Sequence, residues 1–313
     1  MRSSRVLVTG GAGFIGSSLV EFLLKKNNYV TVLDNFTSGN KLQKIKSKNL
    51  EIVEGDCSLT SVLRELSSKF EVIFHLAADP EIRLPATKPK SIFKNNIKAT
   101  NVLLEWVKDT SAHTIVLTSS STVYGEAKII PTPESQPCEP ISLYGGSKLA
   151  CEALLSAYCH IYKKKGIVLR FANVIGPRST HGIISDMLTK LKKNSTKLEI
   201  LGDGNQNKSY LYIDDCISGI IQVLNKSKSI FDVYNLGSNT QITVRRIIDL
   251  ILNEYGNENV KKIFTGGVEG GGGWIGDVKN MFLDIEKIKQ LGWKPKLNSE
   301  EAIKRTIKEL NYK

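Results

Sequence analysis

A chain of 313 residues that is 41% hydrophobic and 24% charged has the make-up of a folded globular protein of one large or two smaller domains. No apolar stretch approaches the roughly 20 residues needed to cross a bilayer, and the N-terminal run has no signal-peptide architecture, so a cytoplasmic location without membrane contact is expected. The formal charge of +12 raises the question of nucleic acid, but the lysines are dispersed apart from Lys163-Lys164-Lys165 and no nucleic-acid module is visible; an anionic small substrate suits such a chain better.

In chain order, Val6 to Thr9 reads as a short strand, Phe14 to Lys26 as a helix and Val30 to Asp34 as the next strand. Leu50 to Glu54, Glu71 to Ala77, His113 to Thr118 and Ile167 to Ala172 are strand-like, with helical patterns such as Ser91 to Val107 between them. This alternation predicts an α/β fold: a doubly wound parallel sheet of Rossmann type over residues 1–172. Beyond residue 173 turn signals multiply, at Gly176-Pro177, Gly202 to Asn205, Gly266-Gly267 and Gly270 to Gly273. A smaller α/β substrate-binding lobe over 173–313 is expected, with a segment near 210–250 returning to the first sheet; Phe231 to Gly237 is the strand that could do so. Lys261 to Gly276 reads as a mobile loop. Ile285 to Leu291 reads as a helix stopped by Gly292 and Pro295, and Ser299 to Leu310 as a last helix with Ser299 as N-cap.

The five cysteines, Cys57, Cys138, Cys151, Cys159 and Cys216, are odd in number and contain no Cys-x-x-Cys pair, and the four histidines lack metal-ligand spacing. Neither a disulfide frame nor a metal site is expected.

Thr9-Gly10-Gly11-Ala12-Gly13-Phe14-Ile15-Gly16 stands between a strand and a helix. Gly10, Gly13 and Gly16 let backbone approach a pyrophosphate at the helix N-terminus, where free N–H groups and the dipole favour anions. Asp34 ends the following strand, placed to accept hydrogen bonds from adenosine ribose hydroxyls and to repel a 2′-phosphate, which favours NAD over NADP. A plain solvated strand-end aspartate is the alternative. Asp56 ends the third strand and could meet the adenine amino group. In parallel sheets ligands sit at the carboxyl ends of strands; Asp56-Cys57, Leu76-Ala77-Ala78, the serines 119–121 and Asn173 all fall there with the glycine turn.

Tyr144 and Lys148 lie in Ser142-Leu-Tyr-Gly-Gly-Ser-Lys148, at the head of a helical pattern. At that spacing they share a helix face. A phenol is a poor base in water, with a pKa of about 10; the lysine charge, added to that of an oxidised nicotinamide, should draw Tyr144 toward phenolate. Tyr124 and Lys128 have the same spacing, but Gly125, Pro131 and Pro133 follow, so Tyr124 is expected at a strand end running into a loop, where such a pair shares no face.

These residues, with His75-Leu-Ala-Ala, Asn95-Asn96, the serines before Val123-Tyr124-Gly125, and Gly276-Asp277, resemble the extended short-chain dehydrogenases over essentially the whole chain. Within that group the chain is similar to the UDP-glucose 4-epimerases, especially archaeal-type sequences. The resemblance implies that Ser120 hydrogen-bonds the sugar 4-hydroxyl, that Tyr144 is the base, and that Lys148 also holds the nicotinamide ribose. It implies Asn96 near the nicotinamide, Phe14 and Ile15 over the pyrophosphate, and Asn35, Thr37, Ser38 and Gly39 around the adenosine. It assigns Asn173 and Lys208 to the nucleoside diphosphate and makes Met281 a wall of the sugar site. A homodimer, built through helices near 91–107 and 145–163, is also implied.

Three departures bear on chemistry. Dehydrating members carry acids directly after the position of Ser120, where this chain has Ser121 and Thr122. Position 208 is Lys where most members have Arg, which keeps charge but loses the bidentate fork. The family's Arg before Gly-Asp is missing, with Trp274 standing three before Asp277. The expected activity is NAD-dependent 4-epimerisation of a UDP-hexose, plain or N-acetylated, through a transient 4-keto sugar. The alternatives are a nucleotide-sugar 4-reductase or dehydrogenase, and a non-catalytic dinucleotide sensor.

Overall fold

Short apolar runs, buried on both faces in the inner strands, make the central sheet. The computed structural model of the chain describes residues 3–82, 89–256, 259–268 and 271–311. In order come β1 (Arg5–Thr9), α1 (Phe14–Lys25), β2 (Tyr29–Asp34), β3 (Leu50–Glu54), α2 (Thr60–Arg64), β4 (Val72–His75), α3 (Pro89–Ile92), a π-helical turn (Phe93–Lys98), α4 (Ala99–Val107), β5 (Thr114–Ser120), a 3₁₀ turn (Ser121–Tyr124), α5 (Leu143–Tyr162) and β6 (Lys165–Phe171). Then follow β7 (Asn173–Ile175), α6 (Ile183–Lys193), β8 (Lys197–Ile200), β9 (Asn207–Lys208), β10 (Tyr210–Tyr212), α7 (Ile213–Lys226), β11 (Phe231–Leu236), β12 (Ile242–Thr243), α8 (Val244–Tyr255), β13 (Lys261–Phe264), β14 (Asn280–Met281), α9 (Glu286–Lys289) and α10 (Ser299–Asn311).

Seven strands form one sheet in the order β11-β6-β5-β4-β1-β2-β3, every pairing parallel. This is the doubly wound α/β architecture that the alternation predicts. Period-two burial divides the core in two. Val6 and Val8 of β1 pack with Leu19 and Leu23 of α1 and Ile217 and Ile220 of α7, while Leu7 packs on the other face with Leu103 and Val107 of α4 and Leu155 and Cys159 of α5. β11 comes from late in the chain and pairs with β6, so the second half is stitched into the first sheet. Arg178 adds a polar tie, reaching back to Glu21 and Ser17 of α1.

Several elements differ from the sequence reading. Lys261–Phe264 is not loop: it forms β13 and pairs in parallel with β8, its carbonyls and amides satisfied by a partner strand some 60 residues away in sequence. Gly270, within the expected glycine loop, lies outside the described residues. Ser299 is not the cap of α10. That role falls to Asn298, which accepts the Glu301 amide at 2.9 Å while Glu301 accepts the Asn298 amide at 2.8 Å, a reciprocal capping box. The Ser299 hydroxyl instead donates to Thr240 O (2.7 Å) and accepts from the Tyr210 amide (3.0 Å). Tyr124 closes a 3₁₀ turn and is 2% exposed, so it is a core residue and not part of an open loop.

Candidate active site

The carboxyl ends of β1, β2, β4 and β5 deliver Thr9, Asp34, His75 and Ser120 to one edge of the sheet. The glycine turn starts there. Gly10 has φ +70°, and a Cβ on it would meet the Ala77 amide nitrogen at 2.6 Å. A Cβ on Gly16 would meet Gly10 O at 2.2 Å, so α1 is pressed onto the turn. Gly13 is different: its only neighbour within 4 Å would be Gly10 O, at 3.3 Å. It is the N-cap of α1 and has no side-chain cap, leaving the first-turn amides of Phe14 and Ile15 without intrahelical partners. A phosphate fits that opening, and the residues present suit a dinucleotide.

Asp34 braces the site. Its Oδ2 accepts the Ala12 amide at 2.9 Å and its Oδ1 the Phe36 amide at 2.8 Å, joining the glycine turn to the loop after β2. Each oxygen keeps acceptor capacity for a ribose hydroxyl. Asn35, Thr37, Ser38 and Gly39 lie exposed on that loop, where the Asn35 carbonyl oxygen accepts from Thr37. Asp56 accepts the Ser58 amide and the Lys94 ammonium, both at 2.8 Å; burial works against its charge, but Lys94 and Ser58 hold its pKa below the ordinary aspartate value. The neighbouring Cys57 thiol is pushed up to about 12 by burial and by Asp56, and is inert packing. Leu76, Ala77 and Ala78 follow β4, with the Leu76 amide bound to Thr9 O at 3.0 Å.

Two further residues are buried behind this edge of the sheet. His75 was given no role by the sequence alone. It lies fully inside, with Thr9 Oγ1 at 2.7 Å on Nδ1 and Thr100 Oγ1 at 3.0 Å on Nε2. Burial, with the Lys148 charge adding to it, pushes its pKa down to about 3, so it is a neutral spacer between β1 and α4. Asn96, 1% exposed, sits in the π-helical turn. It accepts the Asp79 amide at 2.7 Å and donates to Ser147 Oγ at 2.8 Å, and Ser147 in turn donates to Tyr144 O at 2.7 Å. The turn thereby fixes the start of α5.

Ser142 caps α5 by accepting the Gly145 amide at 3.1 Å. A Cβ on Gly145 would meet Thr122 O at 2.5 Å, so the head of α5 presses on the turn that follows Ser120. Ser120 Oγ accepts from the Thr122 amide (3.2 Å) and hydroxyl (3.0 Å), which leaves its own proton available to a ligand oxygen. Tyr144 is half-buried and Lys148 is 4% exposed. The Lys148 ammonium donates to Thr118 O at 3.0 Å and lies 5.8 Å from the centre of the Tyr144 ring. The protein alone does not make Tyr144 a phenolate. Burial, with neighbouring Cys151 and Asp79 adding to it, raises its pKa above the ordinary phenol value, and burial lowers that of Lys148. The positive charge of an oxidised nicotinamide is what has to reverse this.

Later in the chain, Asn173 opens β7 and its amide donates to Ser209 O at 3.3 Å. Lys208 and Met281 are register partners in β9 and β14. Lys208 pairs with Asp277 at 2.6 Å and lies 5.4 Å from the centre of the Trp274 indole; Asp277 also accepts the Gly273 amide at 2.9 Å. Met281 is 6% exposed and clusters with Val123, Tyr124, Ala172, Val278 and Leu283. Among the described residues no group of three His, Cys, Asp or Glu side chains could hold a metal.

Comparison with known proteins agrees with this geometry. The NAD dependent epimerase/dehydratase family matches residues 6–237. A protein of Methanocaldococcus jannaschii, provisionally named a UDP-glucose 4-epimerase, is 34% identical over 308 residues, 96% of this chain and 97% of its own. A solved UDP-galactose 4-epimerase superposes with TM-score 0.88 at 36% identity, over 98% of this chain and 99% of that one. The UDP-glucuronic acid 4-epimerase of Bacillus cereus, solved with UDP-glucuronic acid and NAD, gives 0.87 at 29% identity over 98% and 99%.

Proposed function

Because the chain belongs to the NAD dependent epimerase/dehydratase family and uses NAD as its cofactor, we propose that it interconverts UDP-hexoses that differ at C4. The observation that carries this reading is the turn after Ser120. It offers Ser121 and Thr122, hydroxyls with no carboxylate, within contact of the head of α5. Eliminating water would need an acid and a base at that point; beside NAD as the hydride acceptor, proton transfer at the C4 hydroxyl asks of the protein only Tyr144, Lys148 and Ser120.

In this reading Ser120 holds the sugar 4-hydroxyl and Tyr144 removes its proton, with Lys148 keeping positive charge on the same helix face. NAD, when bound, supplies the acceptor that takes the C4 hydride and gives it back. The 4-keto sugar turns about its diphosphate, which Lys208 and Asn173 hold, so that C4 takes the hydride back on its other face, and Tyr144 returns the proton to the C4 oxygen. Gly10, Gly13, Phe14, Ile15 and Gly16 serve the pyrophosphate; Asp34, Asn35, Thr37, Ser38, Gly39, Asp56 and Cys57 surround the adenosine. Leu76, Ala77, Ala78 and Asn96 line the nicotinamide half. Met281 borders the sugar and bears on plain versus N-acetylated hexose.

Free cysteines, four of them buried, and the absence among the described residues of any helix long and apolar enough to cross a membrane accord with a cytoplasmic enzyme. Phe93, Ile161 and Tyr162 are 58%, 66% and 41% exposed beside α4 and α5, which suits a homodimer through those helices.

The test is incubation with UDP-galactose, UDP-N-acetylgalactosamine and UDP-glucuronic acid, without added cofactor, followed by separation of the sugars. Net epimer formation at catalytic turnover is expected for at least one. Conversion only with stoichiometric NADH consumption would make the protein a reductase instead.

A further inference from the structure

Behind the proposed catalytic residues lies a buried polar chain that the mechanism does not use. Ser119 Oγ, on β5, donates to Glu152 Oε1 at 2.5 Å. Glu152 is on α5, two turns beyond Tyr144 and one beyond Lys148, on the same face. Arg170, on the adjacent strand β6 and in register with Ser119, grips both oxygens of Glu152: Nη2 at 2.7 Å, Nε at 3.1 and 3.3 Å. Ser119, Glu152 and Arg170 are 3%, 4% and 6% exposed. Burial works against the Arg170 charge, but Glu152 and the Tyr124 oxygen, 2.9 Å from Nη1, more than restore it.

The arrangement is sequential. Thr118, Ser119 and Ser120 are consecutive on β5. The first receives Lys148 through its carbonyl, the second holds Glu152 through its hydroxyl, and the third faces the substrate in the reading above. Successive turns of α5 are thus pinned to successive residues of the strand that carries Ser120. Beyond its head, which Asn96 holds through Ser147, α5 could tilt on its apolar contacts, since Leu155 and Cys159 fix burial but not axial position. Directional charge-assisted bonds fix that position.

Resting on the epimerase reading, we propose that Ser119, Glu152 and Arg170 form a positioning strut that sets the reach of Tyr144 to the hydroxyl held by Ser120. They touch neither sugar nor dinucleotide; they act through α5. A buried ion pair is weak evidence for stability in itself, because desolvation offsets much of the attraction. Its value here is geometric, and misplacement of a reacting group by about 1 Å can cost on the order of a hundredfold in rate.

Glu152→Gln would leave Arg170 a buried, poorly matched charge and could unfold the chain, so the discriminating variant is Ser119→Ala, which deletes one hydroxyl. NAD-loaded wild type and Ser119→Ala are compared for kcat, for KM toward whichever UDP-hexose the wild type turns over, for retained NAD and for thermal midpoint. We expect kcat to fall by about tenfold, with KM and NAD content within about twofold and the midpoint within a few degrees. Unchanged kcat overturns the strut while leaving the epimerase reading standing. Parallel loss of kcat, substrate affinity, NAD and thermal stability also overturns it, because that pattern is general loosening. Wild type inert toward every UDP-hexose overturns the parent reading and the strut with it.

Discussion

The Lys148 ammonium lies one helical turn from Tyr144, 5.8 Å from the centre of its ring, and is anchored to the carbonyl of Thr118. The pair is therefore held by the strand that ends in Ser120 as well as by its own helix. Tyr144→Phe keeps the ring and removes the proposed base. It should lower kcat by about 10²- to 10⁴-fold, with the folded state and NAD binding unchanged; near-wild-type turnover in that variant would remove the mechanism.

Burial leaves Tyr144 protonated at neutral pH, its pKa above the ordinary phenol value. A positive charge beside the hydroxyl favours the phenolate, and oxidised NAD carries one. Ultraviolet titration, with the Tyr144→Phe spectrum subtracted, should show the phenolate at lower pH in NAD-loaded protein than in protein stripped of NAD. Coincident titrations would contradict the proposed geometry.

His75 carries a pH signature in stability. Its pKa in the folded chain is about 3, against about 6.5 unfolded. Above pH 6.5 it is neutral in both states and contributes no dependence. Below that, the unfolded chain takes up a proton that the folded chain refuses, so stability falls as pH drops from about 6.5 toward 3. Between pH 7 and pH 5 this amounts to about 2 kcal/mol. Urea unfolding at the two pH values should show that loss in wild type and a smaller one in His75→Gln.

Lys208 is the cation proposed to meet the diphosphate, and it is held by Asp277 at 2.6 Å. Lys208→Gln should raise KM for the UDP-sugar by about tenfold, as expected for one lost charge-assisted contact, while kcat and NAD content stay close to wild type. Steady-state kinetics with retained NAD measured alongside checks it.

Met281 packs on Tyr124 and Ala172 at the side of the proposed sugar site. Met281→Ala should raise the kcat/KM ratio of UDP-N-acetylgalactosamine to UDP-galactose by about tenfold, and Met281→Tyr should lower it, within the range that hydrophobic pocket changes command. An unchanged ratio in both variants would place the wall elsewhere.

Much of the candidate site could be read in short windows because the proposed chemistry needs particular residue types at fixed offsets. The glycine turn before a helix, the acid ending the next strand, and a tyrosine with lysine one turn on are all of this kind. The parallel sheet was legible from apolar runs alternating with helical spacing. What escaped was assembled at long range. The Ser119–Glu152–Arg170 chain draws on two strands and a helix; Ser119 was visible as one of the serines that end β5, but nothing local joins it to Glu152 or Arg170. Strand β13 was hidden because four residues among glycines acquire strand character only by pairing with β8. The cap of α10 missed by one residue: Asn298 and Ser299 are both good caps, and only the distant Tyr210 and Thr240, which claim the Ser299 hydroxyl, decide between them.

The central claim is that the hydride removed from C4 returns to C4. Whichever UDP-hexose the wild type turns over, carrying deuterium at C4 and incubated with the protein in ordinary water without added cofactor, tests it most directly. Mass and proton spectra of the sugar products should show the C4 epimer with the deuterium still on C4. Product that has lost its C4 deuterium to solvent, or no epimer at all, would contradict the account.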